Sequence, residues 1–305
     1  MAEPQVQLKK FDYTGILGWS VSRFDRFSAC KRQYYYDYYA KFDSEFTPNK
    51  INALKKMTSV PLETGNIVHD VIKTLLERLL ESEQPIIEER FIEYARKKTN
   101  EYVSSKQFSE MYYGETQKID MARVSAQVEL ILKNLITSQR YSWILGKALG
   151  NKKGWIIEPP GYGETRIKGL KAYCKVDFLF PVEGKIYILD WKTGKPDQVK
   201  HRKQLLGYST WAAYHFDTKP EDIEPIVVYL QPVYSEMSEK MTASDITGFV
   251  GTVDSETKQM YSYLKNIEQN VPKDKSEFAM TENLKICKYC NYRELCSRAK
   301  EKFEF

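Results

Sequence analysis

Apolar positions recur at helical spacing through the first half of the chain and at strand spacing further on. Residues 20–42, entered through Ser20 or Ser22, form one predicted helix, and residues 63–82 form another, with Val68, Ile72, Leu75, Leu76 and Leu79 at helical spacing. Segments 86–105 and 118–149 carry the same period. The texture then changes. Short runs at 155–158, 165–181, 185–192 and 225–231 are rich in Ile, Val, Tyr and Phe and bounded by Gly or Pro, which predicts strands. Between the last two, 197–216 reads as a helix opened by Pro196 and Asp197, and a helix over about 244–269 precedes a cysteine-bearing tail. The expected architecture is α/β, one domain over 1–305 with a helical insertion over 84–150 and the tail at 284–300.

The sharpest local signal lies in two of these strands: Lys175-Val176-Asp177-Phe178 and Ile188-Leu189-Asp190-Trp191-Lys192. Side chains alternate along a strand, so Asp190 and Lys192 share one face while Leu189 and Trp191 take the other. If Glu183-Gly184 is a two-residue hairpin loop, Val182 faces Lys185, and the same register sets Asp177 opposite Asp190. Residues so opposed hold their Cβ atoms about 4.5–5.5 Å apart, where like charges destabilise. Two ionised carboxylates at that distance call for a cation such as Mg²⁺ or Mn²⁺, with Lys192 one pleat along to serve the attacking water or a charged phosphate. Taken alone, an Asp-x-Lys tripeptide arises by chance in many strands and describes a solvated hairpin face equally well. His69, inside a predicted helix, and Gln204 with Tyr208, four apart on one helical face, add candidates whose simpler reading is packing or surface.

Composition permits nucleic-acid binding without requiring it: the net charge is +5, so any such surface is a local patch. The first fifteen residues lack an apolar core for export, and no later stretch approaches the roughly 18 apolar residues of a membrane span, so a soluble, cytoplasmic protein is expected. A Walker A phosphate loop is absent, which argues that any helicase involved is a separate protein. Five cysteines include the compact set Cys287, Cys290 and Cys296, more suited to metal than to disulfides. Three thiolates leave a site incomplete. Cys30 is the expected fourth, because Cys174, on the predicted Asp177 strand, alternates to the core side. Such a site suits zinc or an iron–sulfur cluster, and the alternative is a tail that binds zinc through another ligand or binds a partner.

Together these residues resemble the RecB-type branch of the PD-(D/E)xK nucleases, which includes CRISPR-associated and AddB-type nucleases with a cysteine cluster. Trp19-Ser20-Val21-Ser22-Arg23-Phe24 through Cys30-Lys31-Arg32-Gln33-Tyr34-Tyr35-Tyr36 is similar to that branch's opening segment, although Lys31 stands where Pro is frequent. Gly65 to His69 matches its Gly-x-x-x-His, Asp177 its metal-binding Asp, Asp190 and Lys192 its Asp-x-Lys, Gln204 and Tyr208 its Gln-x-x-x-Tyr, and the three late cysteines its closing trio. The resemblance implies a restriction-endonuclease-like core of mixed sheet flanked by helices. It also implies catalytic metal on His69, Asp177, Asp190 and the Trp191 carbonyl, Lys192 serving the water, and a 4Fe-4S cluster on Cys30, Cys287, Cys290 and Cys296, with zinc as the alternative. The implied substrate is DNA, as single strands or duplex ends. Glu158 ends the first strand near the site, but no motif assigns it.

Lys195, Lys200, Arg202 and Lys203 follow the Asp-x-Lys strand and are candidates for gripping phosphates. Tyr34, Tyr35, Tyr36, Tyr38 and Tyr39 are read as packing rather than a base-stacking platform, because they form i,i+4 pairs on a helix that must cover the cysteines. The leading expectation is a metal-dependent deoxyribonuclease, most simply an exonuclease, in DNA repair, recombination or CRISPR adaptation. The competing readings are an inactive scaffold of the same fold that holds DNA or a helicase, and a zinc-ribbon adaptor that uses only the tail.

Overall fold

A computed structural model describes residues 6–82 and 84–300, so the first five residues, residue 83 and the last five of the 1–305 span lie outside it. Helices α1 (Val21–Ala29) and α2 (Lys31–Tyr39) replace the single helix expected over 20–42. The break is at Cys30, whose backbone is extended (φ −159°) and whose sulfur accepts the Gln33 N–H as the cap of α2. There follow α3 (Pro48–Lys56), α4 (Val60–Glu81), α5 (Glu88–Ser105), α6 (Ser109–Tyr112), α7 (Met121–Ile136) and α8 (Gln139–Lys147). The expected 118–149 helix is thus two, separated where Ser138 turns extended and caps α8 through the Tyr141 N–H.

Strands β1 (Ile156–Ile157), β2 (Glu164–Ile167), β3 (Leu170–Tyr173), β4 (Phe178–Val182) and β5 (Lys185–Lys192) come next. The single strand expected over 165–181 is therefore corrected to three. Lys168 and Gly169 both adopt positive φ (47° and 83°) and fold β2 onto β3, and residues 174–176 leave the ladder before β4 begins. The crossover helix α9 (Gln198–Phe216) is capped by Asp197, which accepts the Lys200 N–H. Then come β6 (Ile223–Tyr229), the polar edge strand β7 (Ser235–Ser238), α10 (Ala243–Tyr261), the hairpin β8 (Leu264–Asn266) and β9 (Val271–Pro272), α11 (Leu284–Lys288) and α12 (Ser297–Lys300). The helix expected over 244–269 stops at Tyr261, and β7 was not anticipated.

The chain forms two compact units interleaved along the sequence: Met1–Phe11, Val60–Ser105 and Asp120–Thr252, and Asp12–Ser59, Lys106–Ile119 and Val253–Phe305. The first unit holds a mixed sheet ordered β1-β4-β5-β6-β7, with β5 and β6 parallel and the other neighbours antiparallel. A parallel pair needs a long crossover, and α9 supplies it and packs on β6. Every residue of β4 is buried, so it reads as an apolar run instead of an alternation. Segment 84–150 is divided: α5 and α7 pack on α4, whereas Lys106–Ile119 belongs to the second unit.

The second unit is built on aromatic rings. Tyr34, Tyr35, Tyr36 and Tyr39 are buried with Phe27, Phe278 and Tyr292, in agreement with the packing reading, whereas Tyr38 of the same set is exposed. Their hydroxyls are matched inside: Tyr292 donates to Asp37 Oδ1 (2.6 Å) and Tyr39 to Asn270 Oδ1 (2.9 Å). No helix among the described residues is long and apolar enough to cross a membrane.

Candidate active site

The β4–β5 hairpin turns at Glu183 and Gly184, both at positive φ (52° and 80°), and pairs Val182 with Lys185 through to Phe178 with Leu189, as expected. One further step places Asp177, just beyond the ladder, against Asp190. Main chain ties the two acids together, since Asp177 Oδ2 accepts the backbone N–H of Trp191 at 2.8 Å. Asp190 Oδ1 accepts the Tyr208 hydroxyl at 2.5 Å, so this tyrosine of α9 is both buried and part of the site. Asp190 Oδ2 lies 2.5 Å from Lys192 Nζ yet has no aligned hydrogen bond; the contact is a charge pair with bonding capacity left over. His69 Nδ1 approaches Asp177 Oδ1 at 3.3 Å from α4. Gly65, one turn earlier, lets α4 come close, because a Cβ there would meet Thr193 Oγ1 at 3.1 Å.

Electrostatics push the two acids apart. Both are buried, with Asp177 9% and Asp190 5% exposed. Burial raises the Asp177 carboxyl, but His69, Lys192 and the Trp191 N–H outweigh it and hold this group below the usual range. At Asp190 burial prevails, reinforced by the Asp177 charge against Lys192 and Tyr208, and its pKa is raised. Adjacent carboxylates that resist joint ionisation are the chemistry a divalent cation relieves.

His69 supplies a test. Burial lowers its pKa, but the charge and hydrogen bond of Asp177, with Asp190 beyond, carry it above the ordinary 6.5. A metal on His69 would need the neutral imidazole, so proton and cation would compete: the free imidazole keeps its proton up to the raised value. Mn²⁺ affinity is therefore expected to rise with pH and to fall about tenfold per unit below that value. Mn²⁺ titrations from mildly acid to mildly alkaline solution read this directly, and a flat profile would remove His69 from the metal site.

An open cleft of about 610 Å³ runs past this face, lined by His69, Glu158, Trp191, Lys192 and Thr193 with Lys73, Lys175 and Lys200. Of the expected phosphate grips, Lys200 lines the cleft, Lys195 is exposed and Lys203 half-buried. Arg202 forks onto Glu239 (2.7 and 2.8 Å) in an ion pair at the surface. Lys73 and Lys175 were not anticipated. Gln204 sits one turn before Tyr208, its Oε1 buried without a hydrogen-bond partner.

Glu158 was seen in the sequence without a role. Ligand atoms of His69, Glu158 and Asp177 all lie within 4.8 Å of one another. The signal was tertiary: the Glu158 N–H donates to the Asp177 carbonyl at 3.1 Å, a contact no local pattern reveals. Cys174 is also corrected. It lies in the 174–176 stretch outside any strand, so alternation does not apply, and burial raises its thiol pKa with the Asp190 charge adding to the rise.

In the second unit Cys30, Cys287, Cys290 and Cys296 line one small pocket with Tyr36, Met280 and Tyr292. Burial pushes the Cys290 thiol up to about 12, and burial together with Cys296 and Cys30 raises Cys287.

Residues 18–297 match the sequence profile of the PD-(D/E)XK nuclease superfamily. No curated protein sequence matches the chain. A solved structure, "Crystal structure of SSO0001", aligns over 67% of this chain and 95% of that chain at 18% identity, with a TM-score of 0.30. With its profile match spanning nearly all of the sequence and its acids and lysine gathered on one hairpin face, the chain belongs to the PD-(D/E)XK nuclease superfamily.

Proposed function

We propose that the protein is a divalent-metal-dependent deoxyribonuclease that hydrolyses DNA phosphodiesters. One observation carries this reading: two buried aspartates joined through the Trp191 N–H, with Lys192 and His69 against them, beside an open cleft with lysines on its wall. His69, Asp177, Asp190 and the Trp191 carbonyl would hold Mg²⁺ or Mn²⁺. The ion supplies Lewis acidity toward water and the phosphate. Lys192, drawn to Asp190 in the free protein, is placed to hold the water or the developing phosphate charge, and Tyr208 fixes the Asp190 carboxylate so that its free oxygen points to its task. Gln204, one turn before Tyr208 and with its carbonyl oxygen buried and unpaired, would orient the same group of polar atoms. Lys73, Lys175 and Lys200 would hold flanking phosphates without reading bases.

Cys30, Cys287, Cys290 and Cys296 would hold a 4Fe-4S cluster, with zinc as the alternative, and that site braces the second unit. The resemblance further points to an exonuclease on single strands or duplex ends, in DNA repair, recombination or CRISPR adaptation, beside a separate helicase or recombination protein.

The direct experiment incubates anaerobically purified protein with end-labelled single- and double-stranded DNA, with Mn²⁺, Mg²⁺ or chelator. Cleavage that appears with the metals and disappears with chelator is expected, its product ladder separating end-wise from internal cutting. DNA left intact under every metal condition would overturn the reading.

A further inference from the structure

We propose that Glu158 is itself a divalent-cation ligand, forming with His69 and Asp177 a donor set that is complete without Asp190. The inference rests on the reading of this cleft as a metal site and extends it to a residue outside the recognised motifs.

Three observations converge. First, the ligand atoms of His69, Glu158 and Asp177 lie within 4.8 Å of one another, and donors bound at about 2.0–2.6 Å to one hard cation span that range. An imidazole and two carboxylates from α4, the end of β1 and the start of β4 thus already face a common point. Second, Asp190 Oδ1 accepts the Tyr208 hydroxyl and its Oδ2 stands 2.5 Å from the Lys192 ammonium, whereas the lysines nearest the Glu158 oxygens stand at 3.4 and 3.5 Å, so Glu158 is the less tightly paired second carboxylate. Third, the spacing is set by main chain. Glu158 holds a left-handed backbone (φ 45°), rare for a residue with a side chain, and its N–H is bonded to the carbonyl of Asp177 itself.

A different role for Glu158 would be to neutralise Lys73 and Lys175, which stand 3.4 and 3.5 Å from its oxygens. Those lysines are 36% and 52% exposed, and contacts of that length and exposure contribute little. The two roles predict different results. If Glu158 binds the ion, the lysines compete with it, and removing them strengthens metal binding. If Glu158 only balances the lysines, Mn²⁺ affinity does not depend on it.

The test measures free Mn²⁺ by electron paramagnetic resonance during titration of the full chain, with no DNA present. Glu158→Gln is expected to weaken Mn²⁺ binding by about tenfold or more, while Lys73→Met with Lys175→Met tightens it by a few fold. In an Asp190→Asn background a Mn²⁺ site should persist and should be lost on adding Glu158→Gln. The double lysine variant keeps the experiment decisive if Glu158→Gln folds poorly, since it leaves the glutamate in place. Binding within twofold of the native protein in folded Glu158→Gln, or weaker binding in the lysine variant, overturns the proposal while the nuclease reading stands on its cleavage assay. A native protein that binds no Mn²⁺ overturns both.

Discussion

Asp190→Asn is expected to abolish metal-dependent DNA cleavage, by about a thousandfold or more, while leaving the protein at least as stable as before. The amide keeps the shape of the carboxylate and can still accept from Tyr208, so the packing around it survives. What disappears is the negative charge that draws Lys192 to 2.5 Å and that, in the proposed site, would serve the ion. Loss of a single preorganised charge-stabilising group costs on the order of a hundred- to a thousandfold, and a ligand that also sets the lysine should sit at or beyond the upper end. The stability half of the prediction follows from the sign of the pKa shift. A carboxyl whose folded pKa lies above its ordinary value is destabilising when ionised, so at neutral pH Asp190 costs folding energy that a neutral amide does not. The Lys192 ammonium keeps access to the cleft and can be solvated there. Rates on end-labelled DNA and thermal unfolding of the same preparation test both halves. Native-level cleavage by the Asn variant would end the nuclease reading, and a large drop in stability would mean that the acid pair is structural.

Cys287→Ser is expected to bring the second-largest effect, on stability more than on chemistry. Residues 30 and 287 are separated by 257 positions (287 − 30) and line one pocket, so an ion or cluster bridging them closes a very long loop. Metal binding of this kind is folding free energy, and losing it should cost several kcal/mol; at roughly 2–4 °C per kcal/mol the midpoint would drop by about 10 °C or more. The cause is local to the thiols. With burial and neighbouring sulfurs holding Cys290 and Cys287 above their ordinary values, the sulfurs without a cation stay protonated and contribute only small apolar contacts. Iron and zinc analysis of anaerobic protein, its visible absorbance and its unfolding midpoint decide among outcomes. Brown protein with iron supports the 4Fe-4S assignment, and colourless protein with zinc supports the alternative. Native protein without bound metal, together with a serine variant of unchanged midpoint, would remove the cluster.

Much of this site could be read from residues in order because its centre is a hairpin. Glu183-Gly184 sets the register locally, and period-two alternation then carries Asp177, Asp190 and Lys192 to one face. The same logic failed where a ladder was assumed to continue. Reading 165–181 as one strand overlooked the Lys168-Gly169 turn and the irregular 174–176 stretch, so alternation does not apply to Cys174, although its thiol is buried and lies within the electrostatic reach of Asp190. Strand β7, Ser235-Glu236-Met237-Ser238, carries no apolar signal, because it sits at a sheet edge with little to bury.

Residue order alone therefore determined most of the helical stretches, the caps at Ser20 and Asp197, the hairpin and the face on which its charges stand, since each depends on bonds between near neighbours and on a fixed side-chain period. Only the tertiary structure decided that Tyr208 donates to Asp190, that Arg202 pairs with Glu239, and that Glu158 meets His69 and Asp177. Those meetings join elements distant in sequence. Their geometry comes from how α4 and α9 pack against the sheet and from one backbone hydrogen bond just beyond the ends of β1 and β4, neither of which leaves a periodic trace in the chain.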